Sequence, residues 1–92
     1  MHFCGLDVGT SGVKAVVFDE KGAIAASSFY EYILELKSDG TRELDAGDIW
    51  QKTKAVLQDV GQKCGNIAAL AVSSFGEAFV AVDADGREIS KV

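Results

Sequence analysis

The segment Gly5-Leu6-Asp7-Val8-Gly9-Thr10-Ser11-Gly12-Val13-Lys14 decides how the chain is read, because it sets an acid, a run of small and hydroxylated residues and a cation between two apolar runs. Before it, Phe3 to Val8 is short and apolar except for Asp7; after it, Val13 to Asp19 is rich in β-branched residues. Both runs have strand length and strand composition. The segment is therefore predicted to be a phosphate-binding turn on a hairpin. Gly9 and Gly12 let the backbone bend without a Cβ, so that amide N–H groups converge on an anion, and Thr10 and Ser11 add hydroxyl donors. An ionised Asp7 at the end of an apolar strand is costly unless a cation or a water-bridged magnesium offsets it. Lys14 supplies a point charge for a phosphate oxygen. The plainer reading of the same residues is a Gly-rich hairpin turn with a solvated Asp and Lys.

Two related motifs do not fit. A Walker loop needs Gly-Lys-Ser or Gly-Lys-Thr opening a helix, whereas Gly12 is followed by Val13 and a strand-like run. The dinucleotide fingerprint would want Gly at the position of Asp7 and a helix over Val13 to Phe18.

Working outward, Asp19-Glu20-Lys21-Gly22 is a short hairpin loop, with Asp opening the turn and Gly supplying the positive φ that closes it. It leads into a third strand, Ala23 to Tyr32, and the same device recurs at Asp83-Ala84-Asp85-Gly86. Lys37 to Arg42 is a polar loop around Asp39-Gly40. A helix over Ala46 to Lys63 follows, with Ile49, Trp50, Thr53, Val56, Leu57, Val60 and Cys64 on one face. Asp45 is its cap, Asp48 adds negative charge in the first turn, and Lys63 and Gly65 supply the cation and the stop. Trp50 shares the apolar face and is expected to anchor the helix on the sheet. Ile67 to Ser73 is almost wholly apolar and of strand length, as a strand covered on both faces would be. Ala78 to Val82 and Arg87 to Ile89 form a final hairpin. The predicted order is β-β-β-α-β plus a terminal hairpin, an α/β arrangement in a single unit.

Composition narrows the function. With 92 residues the chain is one domain at most and has little room for two facing substrate sites. A net charge of −5 without a basic stripe argues against nucleic acid as a partner. Cys4 and Cys64 read as reduced core thiols of a cytoplasmic protein, and His2 is the sole histidine, so a zinc site or a Cys-His nucleophile has no support. The apolar runs are too short for a membrane span, and Asp7 and its turn interrupt any signal-peptide core.

Three segments in order resemble the FGGY family of carbohydrate kinases, the group that contains xylulokinase, gluconate kinase and glycerol kinase. Gly5 to Lys14 is similar to that family's first phosphate motif, especially its xylulokinase form. Glu43-Leu44-Asp45-Ala46-Gly47-Asp48-Ile49-Trp50 resembles its Glu-x-Asp-Pro-x-x-x-Trp segment, with Ala46 replacing the proline. Ala71 to Asp83 resembles the strand and loop that carry sugar contacts. The resemblance implies a ribonuclease-H-like fold of the actin, hexokinase and sugar-kinase superfamily, in which two lobes clasp ATP and sugar, with residues 1–92 as the N-terminal part of the first lobe. It implies Asp7 near magnesium and the phosphates, and Gly9, Thr10, Ser11, Gly12 and Lys14 at the phosphoryl end of ATP. On the sugar side, Glu77 falls where glycerol kinases carry a Glu that accepts from substrate hydroxyls and xylulokinases carry His. Gly76 and Phe75 depart from both relatives, so the match assigns neither xylulose nor glycerol as substrate. Phe75 is equally well a pocket wall or core, and Glu77 without the resemblance is a solvated loop carboxylate.

In the family, the aspartate that takes the sugar hydroxyl's proton, the second phosphate motif and the adenosine pocket all come later in a longer chain. The expectation is therefore a segment of an ATP-dependent carbohydrate kinase, inactive by itself, whose exposed sheet edge drives homo-oligomerisation. A second reading is a non-catalytic phosphate- or nucleotide-binding module that works by association. A third, a ribonuclease-H-like nuclease, needs several more metal-binding carboxylates and a basic patch.

Overall fold

Alternation along the first two strands sets the architecture of the chain, of which a computed structural model describes residues 1–36, 42–74 and 81–87. β1 (His2–Val8) and β2 (Gly12–Asp19) pair antiparallel from His2 opposite Asp19 to Val8 opposite Val13. This register puts Cys4 and Leu6 of β1 and Val13, Ala15 and Val17 of β2 on one buried face. β3 (Ile24–Glu31) adds to β2 antiparallel and contributes Ala26 to the same face. The helix α1 (Ala46–Lys63) lies on that face over β2 and β3, and inserts Thr53, Val56 and Val60. β6 (Ile67–Ser74) then returns parallel to β1, giving the sheet order β3-β2-β1-β6. The predicted β-β-β-α-β order is thus the order of the four-stranded sheet and its helix. The sequence reading missed β4 (Leu34–Leu36) and β5 (Arg42–Leu44), a short antiparallel pair, and Arg42, expected in the polar loop, belongs to β5.

The two Asp-Gly turns behave alike. At the first, the Asp19 carboxylate accepts from the amides of Lys21 and Ala23, the Gly22 amide donates to the Asp19 carbonyl, and Gly22 takes φ +84°. At the second, Asp83 accepts from Asp85 and Arg87, Gly86 donates to the Asp83 carbonyl, and Gly86 takes φ +81°. The side-chain acceptor replaces a lost backbone partner, and Gly removes the steric cost of positive φ. The terminal hairpin expected around the second turn lies mostly outside the described residues.

At the helix start the Asp45 carboxylate accepts from the Gly47 amide at 2.8 Å, the capping role its sequence position predicts. The stop differs: Cys64 ends α1 in an extended conformation, and the positive φ falls on Asn66 (57°) rather than Gly65. Asn tolerates that conformation because its short polar side chain bonds locally.

Two further expectations are corrected. Trp50 does not anchor the helix: it is 58% exposed, with the Lys54 ammonium 5.6 Å from its ring centroid. It sits just past the first turn, at the margin of the arc defined by Thr53, Val56 and Val60, so the helix meets the sheet beside it. β6 is not covered on both faces; all eight of its residues are exposed. α1 packs on β2 and β3, at the far side of the sheet from β6, and leaves this edge strand open.

The polar side of α1 contributes a clasp that apolar periodicity does not reveal. Asp59 accepts from the Ser28 hydroxyl at 2.8 Å and the Tyr30 hydroxyl at 2.9 Å, and the Lys63 ammonium donates to the Ser27 carbonyl at 3.1 Å. The Ser28 bond first, then the Tyr30 bond and the Lys63 charge, hold the Asp59 carboxyl below its ordinary range. Burial raises the Cys4 thiol, which fits an inert core residue. Among the described residues, no helix is long and apolar enough to cross a membrane.

Two outcomes follow for stability. Val56→Ala, at a fully buried position, lowers unfolding free energy by about 2 kcal/mol, while Trp50→Ala stays within about 0.5 kcal/mol, both read from urea midpoints. Because the Asp59 carboxyl is lowered in the folded state, its contribution is present above the unfolded carboxylate pKa and is lost as pH falls through the folded value. Stability measured across acidic pH therefore falls less steeply in Asp59→Asn than in the parent chain.

Candidate functional site

The turn joining β1 to β2 runs from Gly9 to Gly12. The Gly9 amide donates to the Gly12 carbonyl at 2.9 Å, which closes the hairpin. That amide is therefore engaged within the chain, and the tip residues Thr10 and Ser11 are exposed. The Ser11 carbonyl accepts from the Tyr32 amide at 3.0 Å, which fastens the tip to the segment leaving β3.

The glycines serve a different purpose from the one their sequence pattern suggests. Neither Gly9 nor Gly12 takes a positive φ; the described glycines that do are Gly22 and Gly86. Gly12 is buried against β3, and a Cβ on it would meet the Tyr30 carbonyl oxygen at 2.5 Å and the Phe29 ring at 2.7 Å. The requirement is close approach of a neighbouring strand. A Cβ on Gly9 would meet the Gly12 carbonyl oxygen at 3.3 Å, a milder conflict.

Asp7 and Lys14 are cross-strand partners in the β1–β2 register, two residues from the turn on each side. Both are exposed, and both belong to the face opposite α1, since their neighbours Leu6 and Val13 are buried beneath the helix. Among the described residues neither is in an ion pair. An acid and a base thus stand side by side below an exposed tip of hydroxyls and amides, as a site for a phosphate and its cation requires. On the same face, an open groove of about 350 Å³ runs beside Asp7. Gly5 and Asp7 of β1, Val16 and Phe18 of β2 and Ala71 to Ser73 of β6 line it. It stays open partly because Gly5 has no side chain and nothing lies within 4 Å of where one would start.

The structure thus brings Asp7, Gly9, Thr10, Ser11, Gly12 and Lys14 together on one hairpin. Phe75, Gly76 and Glu77 lie outside the described residues, and β6 ends at Ser74, directly before them. In the parallel register Asp7 pairs with Ser73 and Val8 with Ser74, so β1 and β6 end together. Sequence reading missed Tyr32 and Asp48. Asp48 accepts from the Ile33 amide at 2.9 Å and pairs with Lys52 at 3.6 Å, so it ties the helix start to the segment behind the turn. The signal available for it, an acid in the first helical turn, pointed to the helix dipole instead.

This hairpin with its helix-covered mixed sheet has close counterparts among sugar kinases. Residues 2–92 match the FGGY family of carbohydrate kinases, N-terminal domain. The chain is 41% identical over 62 residues to a glycerol kinase of Synechocystis sp., covering 67% of this chain and 12% of that protein. To a glycerol kinase of Marinomonas sp. it is 32% identical over 88 residues, covering 91% of this chain and 18% of the relative. Among solved structures, a gluconate kinase from Lactobacillus acidophilus superposes with a TM-score of 0.90 at 30% identity, over 98% of this chain and 18% of that one. A xylulose kinase from the same organism gives 0.91 at 30% identity, over 98% and 19%. The chain belongs to the FGGY family of carbohydrate kinases, and its fold is part of the actin and hexokinase-like fold of sugar kinases. It spans less than a fifth of the length of these four relatives.

Gly12→Ala tests the packing of the turn. Because the added methyl meets backbone, it lowers stability by about 1–3 kcal/mol, and Gly9→Ala costs less than Gly12→Ala in the same denaturant titration.

Proposed function

We propose that this chain is the N-terminal part of the first lobe of an ATP-dependent kinase that transfers the γ-phosphoryl group to a hydroxyl of a sugar or polyol. The observation that carries the proposal is the placement of Asp7 directly across from Lys14 beneath the exposed Thr10–Ser11 tip. In this reading the tip amides and hydroxyls, with Lys14, receive the phosphoryl end of ATP, and Gly9 and Gly12 give the hairpin its tight shape. Asp7 stands on the side of the metal.

Magnesium fits such a site in a particular way. Among the described residues no three His, Cys, Asp or Glu side chains gather into a metal cage. A single exposed carboxylate suits an ion that keeps most of its water and takes its other ligands from phosphate. When bound, magnesium supplies charge neutralisation on the phosphoryl oxygens as the bond to the leaving group breaks. The residues of this chain do the positioning: the hairpin orients the phosphoryl end, and Lys14 offsets its charge.

Gly76 and Glu77, with Phe75, are the proposed sugar side, following directly from the end of β6. A Glu at 77 would accept from vicinal hydroxyls, and Phe75 would wall the pocket. No side chain in this reading takes the proton of the acceptor hydroxyl, so residues 1–92 by themselves are proposed to be inactive. A cytoplasmic setting agrees with a metabolic kinase carrying free thiols.

The second reading, a non-catalytic nucleotide-binding or self-associating module, is favoured by one feature. β6 is an exposed edge, with Val72 61% and Leu70 49% exposed beside the apolar groove. Such a surface calls for a cover, and in the absence of other chains a second copy is the proposed occupant.

A coupled ADP-release assay with a panel of sugars and polyols is expected to show no turnover from the pure chain, and turnover above background contradicts the inactivity. Calorimetric titration with ATP and magnesium is expected to saturate, with Lys14→Ala binding about tenfold more weakly. Sedimentation is expected to show association that grows with concentration.

A further inference from the structure

Tyr32 stands where the chain leaves β3, and three of its features point the same way. Its amide donates to the Ser11 carbonyl at the tip of the turn. The next amide, Ile33, donates to Asp48 in the first turn of α1, and Asp48 is held in turn by Lys52. Two consecutive amides therefore strap the phosphate turn to the helix start. The Tyr32 side chain joins the core, at 8% exposure. Its hydroxyl is buried and has no hydrogen-bond partner in the described structure.

That hydroxyl contrasts with its neighbour. Tyr30, two residues earlier and within β3, donates its hydroxyl to Asp59. A Phe at position 32 would fill the same volume without the cost of burying an unsatisfied polar group. Buried polar atoms without a partner are uncommon enough in folded chains that each calls for an explanation. Burial first, then the charges of Asp7 and Asp48, hold the Tyr32 hydroxyl above its ordinary range, so it stays protonated and is a donor. The carboxylate acting most on it after burial is thus the acid of the phosphate turn itself.

We infer that Tyr32 is a positioning residue of the phosphate turn: its amide fixes the tip through Ser11, and its buried hydroxyl is a donor kept for an oxygen that the turn's ligand brings, on a phosphoryl group or on a water held beside Asp7. This rests on reading the turn as a phosphate site. It goes beyond that reading by placing a third element, the exit of β3, in the machinery, and by assigning a donor that lies twenty residues from the motif. The geometry also gives the strap a direction. Movement of the tip is felt at Tyr32 and, through Ile33 and Asp48, at the start of α1.

The test uses the chain labelled with carbon-13 at tyrosine Cζ. The sequence has two tyrosines, so Tyr30→Phe and Tyr32→Phe assign both signals, and Tyr30, bonded to Asp59, serves as the internal reference. The probes are ATP with magnesium and, separately, inorganic phosphate. The inference predicts that the Tyr32 signal moves saturably with at least one probe while the Tyr30 signal stays. It also predicts that Tyr32→Phe binds that probe roughly three- to tenfold more weakly and melts no lower than the parent. Saturable binding with a silent Tyr32 signal and unchanged affinity in Tyr32→Phe overturns the inference and leaves the phosphate reading intact. A lower melting temperature in Tyr32→Phe with unchanged affinity overturns it as well, because the hydroxyl then serves the fold. Phosphate that moves Tyr32 when ATP does not bind supports the inference and contradicts the nucleotide reading. A chain that binds neither probe contradicts both.

Discussion

Everything in this molecule depends on the register of β1 against β2. Val8 opposite Val13 and Asp7 opposite Lys14 are adjacent pairs of one antiparallel ladder, and they face opposite ways. The first pair starts the surface that receives α1, and the second makes the polar pair beside the Gly9–Gly12 turn. A slip of one residue would turn Val13, Ala15 and Val17 out to solvent and send Lys14 beneath the helix. The register is held by burial on one side and by Gly12 on the other. Val13, Ala15 and Val17 are fully buried, and β3 comes so close to Gly12 that no side chain is accommodated there. Core and site are thus two faces of one constraint.

The helix closes one side of the sheet over β2 and β3, and the other side stays open. Val56 and Val60 close the core over β2 and β3, and the Asp59 clasp to Ser28 and Tyr30 fixes the helix laterally. Opposite them lie the groove beside Asp7 and the fully exposed β6. The relatives are at least five times as long as this chain, and further chain in them supplies a natural candidate for cover. The polar pair Asp7 and Lys14 sits at the end of this uncovered face.

Much of this was legible from residue order. The short apolar run of Phe3 to Val8, the β-branched run of Val13 to Asp19, period 3.6 in the helix, and Asp-to-Gly punctuation each report local physics, and each led to an element of the right type. The Asp19 and Asp83 turns matched in the Asp that opens each and the positive φ of the Gly that closes it, because such a turn is decided within five residues. What failed was long-range. Trp50 has the spacing of a core residue, yet its exposure depends on where the sheet ends beneath the helix. β6 has the composition of a buried strand, but composition does not say whether its cover is present. Gly12 was read as a flexible residue, when the demand comes from Phe29 and Tyr30 on a strand that sequence places far away. The contacts of Tyr32 with Ser11 and of Asp48 with Ile33 were not foreseen for the same reason, since these partners lie across the fold.

The central claim is that the Gly9–Gly12 hairpin, flanked by Asp7 and Lys14, is where this chain meets a phosphoryl group. Amide chemical-shift mapping of the nitrogen-15-labelled chain, titrated with ATP and magnesium, tests it most directly. The account predicts saturable shifts centred on Gly9, Thr10, Ser11 and Gly12 and extending to Asp7 and Lys14. Saturable shifts confined to β6 and the apolar groove, with the hairpin amides unmoved, would contradict it.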